Sequence, residues 1–176
     1  MSEALEGALL STERRKYVLV ACVVAAVVLL DQASKQWVAS TLALHPSKPI
    51  VEGFFHITYV RNTGAAFSLL AGKSAAFRVP FFALVSLVAG FALVTFVRRT
   101  PASQRLVLVA CGAVLGGAVG NLVDRLRYGE VIDFLDLHWR AYYWPAFNVA
   151  DSCISVGVIF LLISSLATAS DDDRSR

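Results

Sequence analysis

Charge is what this sequence has least of. Asp, Glu, Lys and Arg make up 16% of its 176 residues and 57% are hydrophobic, whereas a soluble domain carries roughly 25% charge. That excludes an ordinary soluble protein, and the length suits a single domain. The formal charge is only +3 and dispersed, so no nucleic-acid partner is expected. Cysteine is scarce too. Cys22, Cys111 and Cys153 all lie inside apolar runs, which excludes a disulfide framework and makes all three packing residues. His45, His56 and His138 show neither an HExxH motif nor an i,i+4 pair, so no metal is expected. The sequence also lacks a GxSxG turn and a glycine-rich phosphate loop. A serine-nucleophile or nucleotide site is thereby left without its framework, and no cofactor is expected.

What the sequence does have is long apolar runs. A bilayer core about 30 Å thick needs roughly 20 apolar residues in a helix. Residues 79–97 and 106–123 carry no charge, and 147–169 carry only Asp151. The first run, 17–30, is too short unless it continues through Asp31 and Lys35. These two residues are four apart, so they share a helix face and can pair. A mainly α membrane protein is expected, one integral domain over 1–176 with spans at 17–38, 76–97, 105–123 and 147–169. A cleavable signal peptide is the competing reading of the N-terminus, but it is not expected, because too few apolar residues separate Lys16 from Cys22.

Arg14, Arg15 and Lys16 precede the first span, and Arg98, Arg99 and Arg105 flank the connection between the second and third. The positive-inside rule makes those ends cytoplasmic, with both termini inside. Arg61, Lys73, Arg78, Arg125, Arg127 and Arg140 then lie outside and dilute the bias. The extracytoplasmic segments are 39–75 and 124–146. Aromatic and β-branched residues predict strands at 55–60 and 131–135, with a turn at Tyr128-Gly129. The short apolar segment 65–71 suits a helix on the membrane surface, and Trp139, Tyr142, Tyr143 and Trp144 suit the interface.

With four spans, Asp31, Lys35, Asn62, Asn121, Asp124, Arg125, Asp133, Asp136, Asn148 and Asp151 gather at one face whichever way the chain is oriented. Asp136 reads as a solvated loop charge, and Asp124-Arg125 as a pin for the third helix's end. Gly112, Gly116, Gly117 and Gly120 permit close helix packing. Carboxylates near a membrane are expensive and mark function. Two placed close together cannot both ionise readily, so one keeps a proton while the other takes a proton from water. This is peptide hydrolysis without a metal or a covalent intermediate. The residues alone leave Asp124 competing with Asp133 for a place in such a pair.

Five blocks occur in order: Asp31-x-x-x-Lys35, Asn62-Thr63-Gly64-Ala65-Ala66-Phe67-Ser68, Gly116-Gly117-Ala118-x-Gly120-Asn121-x-x-Asp124-Arg125, Gly129-x-Val131-x-Asp133-Phe134 and Phe147-Asn148-x-Ala150-Asp151. Together they resemble the bacterial lipoprotein signal peptidases, or signal peptidase II, over nearly the whole chain. The resemblance implies an aspartic endopeptidase that cuts a diacylglyceryl-modified prolipoprotein just before its lipidated cysteine. By the same resemblance Asp133 and Asp151 are the catalytic dyad, and Asn62, Gly64, Asn121, Arg125 and Asn148 line the substrate site. Asp31, Lys35 and Asp124 support it. The fold implied is four spans with a small β platform and a surface helix. The expected enzyme is a monomer in contact with membrane lipid, in the inner membrane with its site at the outer face. The competing readings are a small transporter or assembly subunit, which would spread its polar residues through the membrane depth, and a lipid-headgroup hydrolase, which would need a metal set or a nucleophile.

Overall fold

A computed structural model of the chain describes residues 2–44, 47–64, 70 and 72–174. Its elements run α1 (Ser2–Leu42), β1 (Lys48–Val51), β2 (Phe55–Asn62), α2 (Ala75–Arg99), α3 (Arg105–Tyr128), β3 (Val131–Trp139), β4 (Tyr142–Tyr143) and α4 (Val149–Arg174). Four segments are long and apolar enough to cross a bilayer: Glu13–Leu42, Ala75–Arg99, Arg105–Tyr128 and Val149–Ala167. The helix count matches the hydropathy of the sequence, but several helix ends differ, and two of them have a plain local cause. The first helix begins well before residue 17, because the stretch ahead of it is rich in Ala, Leu, Glu and Arg, which all favour helix. The third continues past residue 123 to Gly129, whose φ of 74° closes it with an N–H to the Arg125 carbonyl. Asp124 and Arg125 are therefore on the helix, one turn before its end.

Helix α3 is the hub and packs against α1, α2 and α4. Its glycines make this contact close: a Cβ on Gly112 or Gly116 would fall 2.9 Å and 2.8 Å from the Cβ of Val23 and Val27, and one on Gly117 would fall 2.5 Å from the Ala150 carbonyl oxygen. The outward faces of α2 and α4 are apolar, with Leu87, Phe91, Leu162 and Leu166 exposed. Helix faces of this kind are solvated by lipid. At one end of the bundle the buried Lys16 donates to the Thr100 carbonyl at 3.0 Å and pairs with Glu13 at 2.8 Å, so it caps the C-terminus of α2. Cys111 is buried and Cys153 partly so, but Cys22 is exposed and is not the packing residue expected from its apolar neighbours.

At the other end lies one antiparallel sheet in the order β1-β2-β3-β4. Both expected strands are present and longer than anticipated, and β1 and β4 extend the sheet on either side. Phe134 of β3 packs on Val38 and Leu42 of α1, which fixes the sheet on the bundle. The β2–β3 ladder pairs Ile57 with Leu135 and then Val60 with Asp133, so a bulge lies between them. Asp136 is not a loop charge. It is a half-buried residue of β3 paired with His56. The surface segment 65–71 falls outside the described residues apart from Leu70, as does His45.

Candidate active site

The polar residues form one connected set between the sheet and the ends of α1, α3 and α4. Asp133, 2% exposed on β3, accepts from the Asn62 side-chain amide at 2.9 Å and from that of Asn148 at 2.7 Å. Asp151 is in the first turn of α4 and accepts from the Asn121 amide at 2.7 Å and from the Asn148 backbone N–H at 3.3 Å. Asn148 in turn accepts from the Asp151 N–H at 2.8 Å. Asn148 and Asp151 thus make a reciprocal capping box, which explains why α4 starts here. The same arrangement puts a carboxylate at the positive end of the helix.

Asn148 is fully buried and Asn121 nearly so. Asn148 also donates to the Asn121 side-chain oxygen and to the Ile132 carbonyl, both at 3.2 Å. These two amides reach the carboxylates from behind and are not on the cleft wall. Asn62, Arg125, Asp133 and Asp151 do border the cleft, which has a volume of about 890 Å³ and an apolar side that includes Leu137, Phe147, Ile154 and Val156. Gly64 donates its N–H to the Asn62 side-chain oxygen at 2.9 Å, and its carbonyl accepts from Arg125 at 3.3 Å. The Arg125 guanidinium also lies 4.3 Å over the Phe82 ring.

A second layer lies beneath. Lys35 pairs with Asp31 at 2.8 Å and with Asp124 at 2.9 Å, and donates to the Asn121 side-chain oxygen at 2.9 Å. All three charges are at most 2% exposed. The backbone N–H groups of Ala150 and Ile132 donate to Asp31 and Asp124 at 2.9 Å and 3.2 Å. A Cβ on Gly120 would fall 2.5 Å from Asp31 Oδ2, so only glycine lets α1 approach α3 here. The i,i+4 spacing of Asp31 and Lys35 does produce a pair, and Asp124 joins it from α3. Every expected site residue enters this assembly.

Two residues were missed from the sequence. Gln32 donates to Asp124 at 2.9 Å and to the Gly120 carbonyl at 3.2 Å. Arg78, 8% exposed, donates to the Thr63 carbonyl behind Asn62. The signal for Gln32 was an amide inside a membrane span, and for Arg78 a charge at the mouth of one.

Burial pushes the Asp133 carboxyl up to about 6. The hydrogen bond from Asn62 opposes that rise, and the negative charge of Asp151 adds to it. A carboxyl held this way keeps a proton to higher pH than an exposed aspartate, as an acid–base pair requires.

The sequence matches the signal peptidase (SPase) II family over residues 23–167. This chain belongs to that family. It is 52% identical over 139 residues to the lipoprotein signal peptidase of Geobacter sulfurreducens, covering 78% of this chain and 85% of the relative. The corresponding protein of Syntrophus aciditrophicus is 49% identical over 140 residues, covering 80% and 87%. A bacterial membrane enzyme solved by the in meso method superposes with a TM-score of 0.77 at 34% identity, covering 86% of this chain and 90% of that one. A second such structure gives a TM-score of 0.73 at 32% identity, covering 84% and 92%. As a member of this family the chain is a protease, and its four apolar helices fit the bacterial inner membrane.

Proposed function

We propose that this signal peptidase II removes the signal peptide of a diacylglyceryl-modified prolipoprotein through an aspartic dyad, Asp133 and Asp151. The observation that carries the reading is the shared cleft: both carboxylates border it, and each is held from behind by a buried asparagine amide. With one proton between them, the charged carboxylate takes a proton from water as its oxygen attacks the scissile carbonyl carbon. The protonated one donates a hydrogen bond to the carbonyl oxygen. The C–N bond then breaks and the leaving nitrogen takes a proton from the pair. Asn62 and Arg125 hold the peptide backbone, and the apolar wall receives the signal segment and acyl chains entering sideways from the lipid. One chain supplies every side chain that this reading uses, which supports a monomer as the working unit. A transporter would distribute its polar groups through the bilayer depth, whereas here they collect at one end of the helices.

The direct test is purified enzyme in detergent with a diacylated prolipoprotein: a shortened product is expected, and none from the unlipidated form. Because the Asp133 carboxyl is raised to about 6, raising the pH past that value removes the shared proton and leaves both carboxylates charged. The kcat/KM should therefore fall on the alkaline side of about pH 6, with a limb that belongs to the pair. A rate still rising through pH 8 would contradict the shared proton.

We assign the active-site end to the outer face, with both termini cytoplasmic, from Arg14, Arg15, Lys16, Arg98 and Arg99. Of the charges that dilute this bias, Arg61 pairs with Glu130, and Arg125 and Arg78 bond backbone carbonyls. They are kept by local partners. In a chain with its native cysteines replaced, Ser47→Cys should react with a membrane-impermeant thiol reagent in intact cells and Ser103→Cys should not. Both serines are exposed. The reverse pattern would invert the topology.

A further inference from the structure

On β2 and β3 the sheet gathers a second group of side chains, separate from the carboxylates. His56 is paired across the ladder with Asp136, and His138 follows two residues along β3. One ligand-type atom from each of the three lies within 4.8 Å of the others. Side chains alternate along a strand, so Asp136 and His138 face away from the side of β3 that carries Asp133. The His56 and His138 rings meet edge to face, 4.5 Å between centroids. The Tyr143 ring stacks on His138 at 5.2 Å and walls one side.

His138 Nδ1 is buried with no hydrogen-bond partner among the described residues. A buried, unpaired ring nitrogen is costly unless something occupies it. We propose that His56, Asp136 and His138 form a site for a divalent transition metal of the zinc type, which clamps β2 to β3. Two imidazoles and one carboxylate are a zinc donor set, and three protein ligands leave a fourth position for water. The set offers too few oxygens for calcium or magnesium and no thiolate for a soft metal. Around a tetrahedral zinc with bonds of about 2.0–2.2 Å, ligand atoms stand roughly 3.3–3.5 Å apart. The ligand-type atoms here lie within 4.8 Å of one another, so binding an ion would draw them closer together. All three residues are partly exposed, which leaves a route of entry from solvent.

The clamp joins the strand bearing Asn62 to the strand bearing Asp133, but it stands apart from the hydrolytic chemistry. Its expected signature is in stability rather than turnover. The sequence holds three histidines, so the test uses protein purified without a polyhistidine tag and stripped with EDTA. Zinc at roughly a hundredfold excess over its dissociation constant should raise the melting temperature by about 5–10 °C, and EDTA should reverse the rise. Titration should give one ion per chain, and cobalt in place of zinc should give the visible absorption of a tetrahedral site. Cleavage of a prolipoprotein at ordinary temperature should survive EDTA. The pair of substitutions His56→Gln and His138→Gln, and separately Asp136→Asn, should abolish the cobalt spectrum and the zinc-dependent shift while leaving the metal-free melting temperature within a few degrees. Retention of the shift and spectrum in the histidine variant would place the metal elsewhere and overturn the proposal. So would a wild-type enzyme that takes up no cobalt.

Discussion

Asp133→Asn and Asp151→Asn should each reduce kcat by roughly ten-thousand-fold while the protein remains folded and inserted. An amide can neither take the proton from water nor carry the shared one. At position 133 there is a second penalty. Both oxygens of Asp133 accept from side-chain amides, Asn62 and Asn148, and an Asn here must set its own NH2 against one of those donors. That variant should also melt a few degrees lower, so its activity is compared at a temperature where both proteins are folded. Asp151→Asn loses the carboxylate half of the capping box and its interaction with the α4 dipole, worth about 1 kcal/mol. Asp136→Asn is the control. It removes a carboxylate from the same strand, on the other side from Asp133, and should leave the rate unchanged. The measurement is single-turnover cleavage of a diacylated prolipoprotein by detergent-purified enzyme, with thermal unfolding of each variant alongside. Near-normal turnover by either folded dyad variant would remove that residue from the reaction.

The parts of this enzyme legible in its sequence are those governed by local spacing. Four apolar runs give four helices, because a bilayer leaves the backbone little alternative. Asp31 and Lys35 are four apart and therefore meet. Alternation in 55–60 gives β2. What could not be read depends on contacts between distant segments. The residues alone left Asp124 and Asp133 as rivals for the dyad; in the fold, Asp124 faces Lys35 from inside α3, while Asp133 stands on the strand that borders the cleft. The resemblance implied that Asn121 and Asn148 line the substrate site; that their amides also hold the carboxylates depends on the packing of α3 against α4. The grouping of His56, Asp136 and His138 depends on the register of β2 against β3, which no spacing along the chain reports. Cys22 misled for the opposite reason: a lipid-facing helix side is as apolar as a core, so composition cannot tell the two apart.

Lys35→Met should destabilise the protein by about 3–5 kcal/mol, the usual result of leaving buried charges without their partner. Lys35 is the only cation that the described salt bridges bring to Asp31 and Asp124. Without it the two carboxylates still accept from the Ala150 and Ile132 N–H groups and from Gln32, but nothing offsets their charge. They sit where α1, α3 and α4 meet, so the damage should appear as a melting temperature lower by about 10 °C and as aggregation in detergent. The triple substitution Asp31→Asn, Lys35→Met and Asp124→Asn removes all three charges together. It should recover much of the loss, because replacing a whole buried ion group costs less than breaking it. The recovered protein should nevertheless be a poor enzyme. In the native site the Asn121 side-chain oxygen accepts from Lys35 and Asn148, which obliges its NH2 to point at Asp151. With Lys35 gone only Asn148 still holds that oxygen, so the hydrogen bond from Asn121 to Asp151 is less firmly enforced. Stability and turnover should therefore separate: melting restored, kcat still down by about tenfold or more, KM little changed. A triple variant that melts as low as Lys35→Met would show that the layer acts through packing. One with full turnover would show that Lys35 does not orient Asn121.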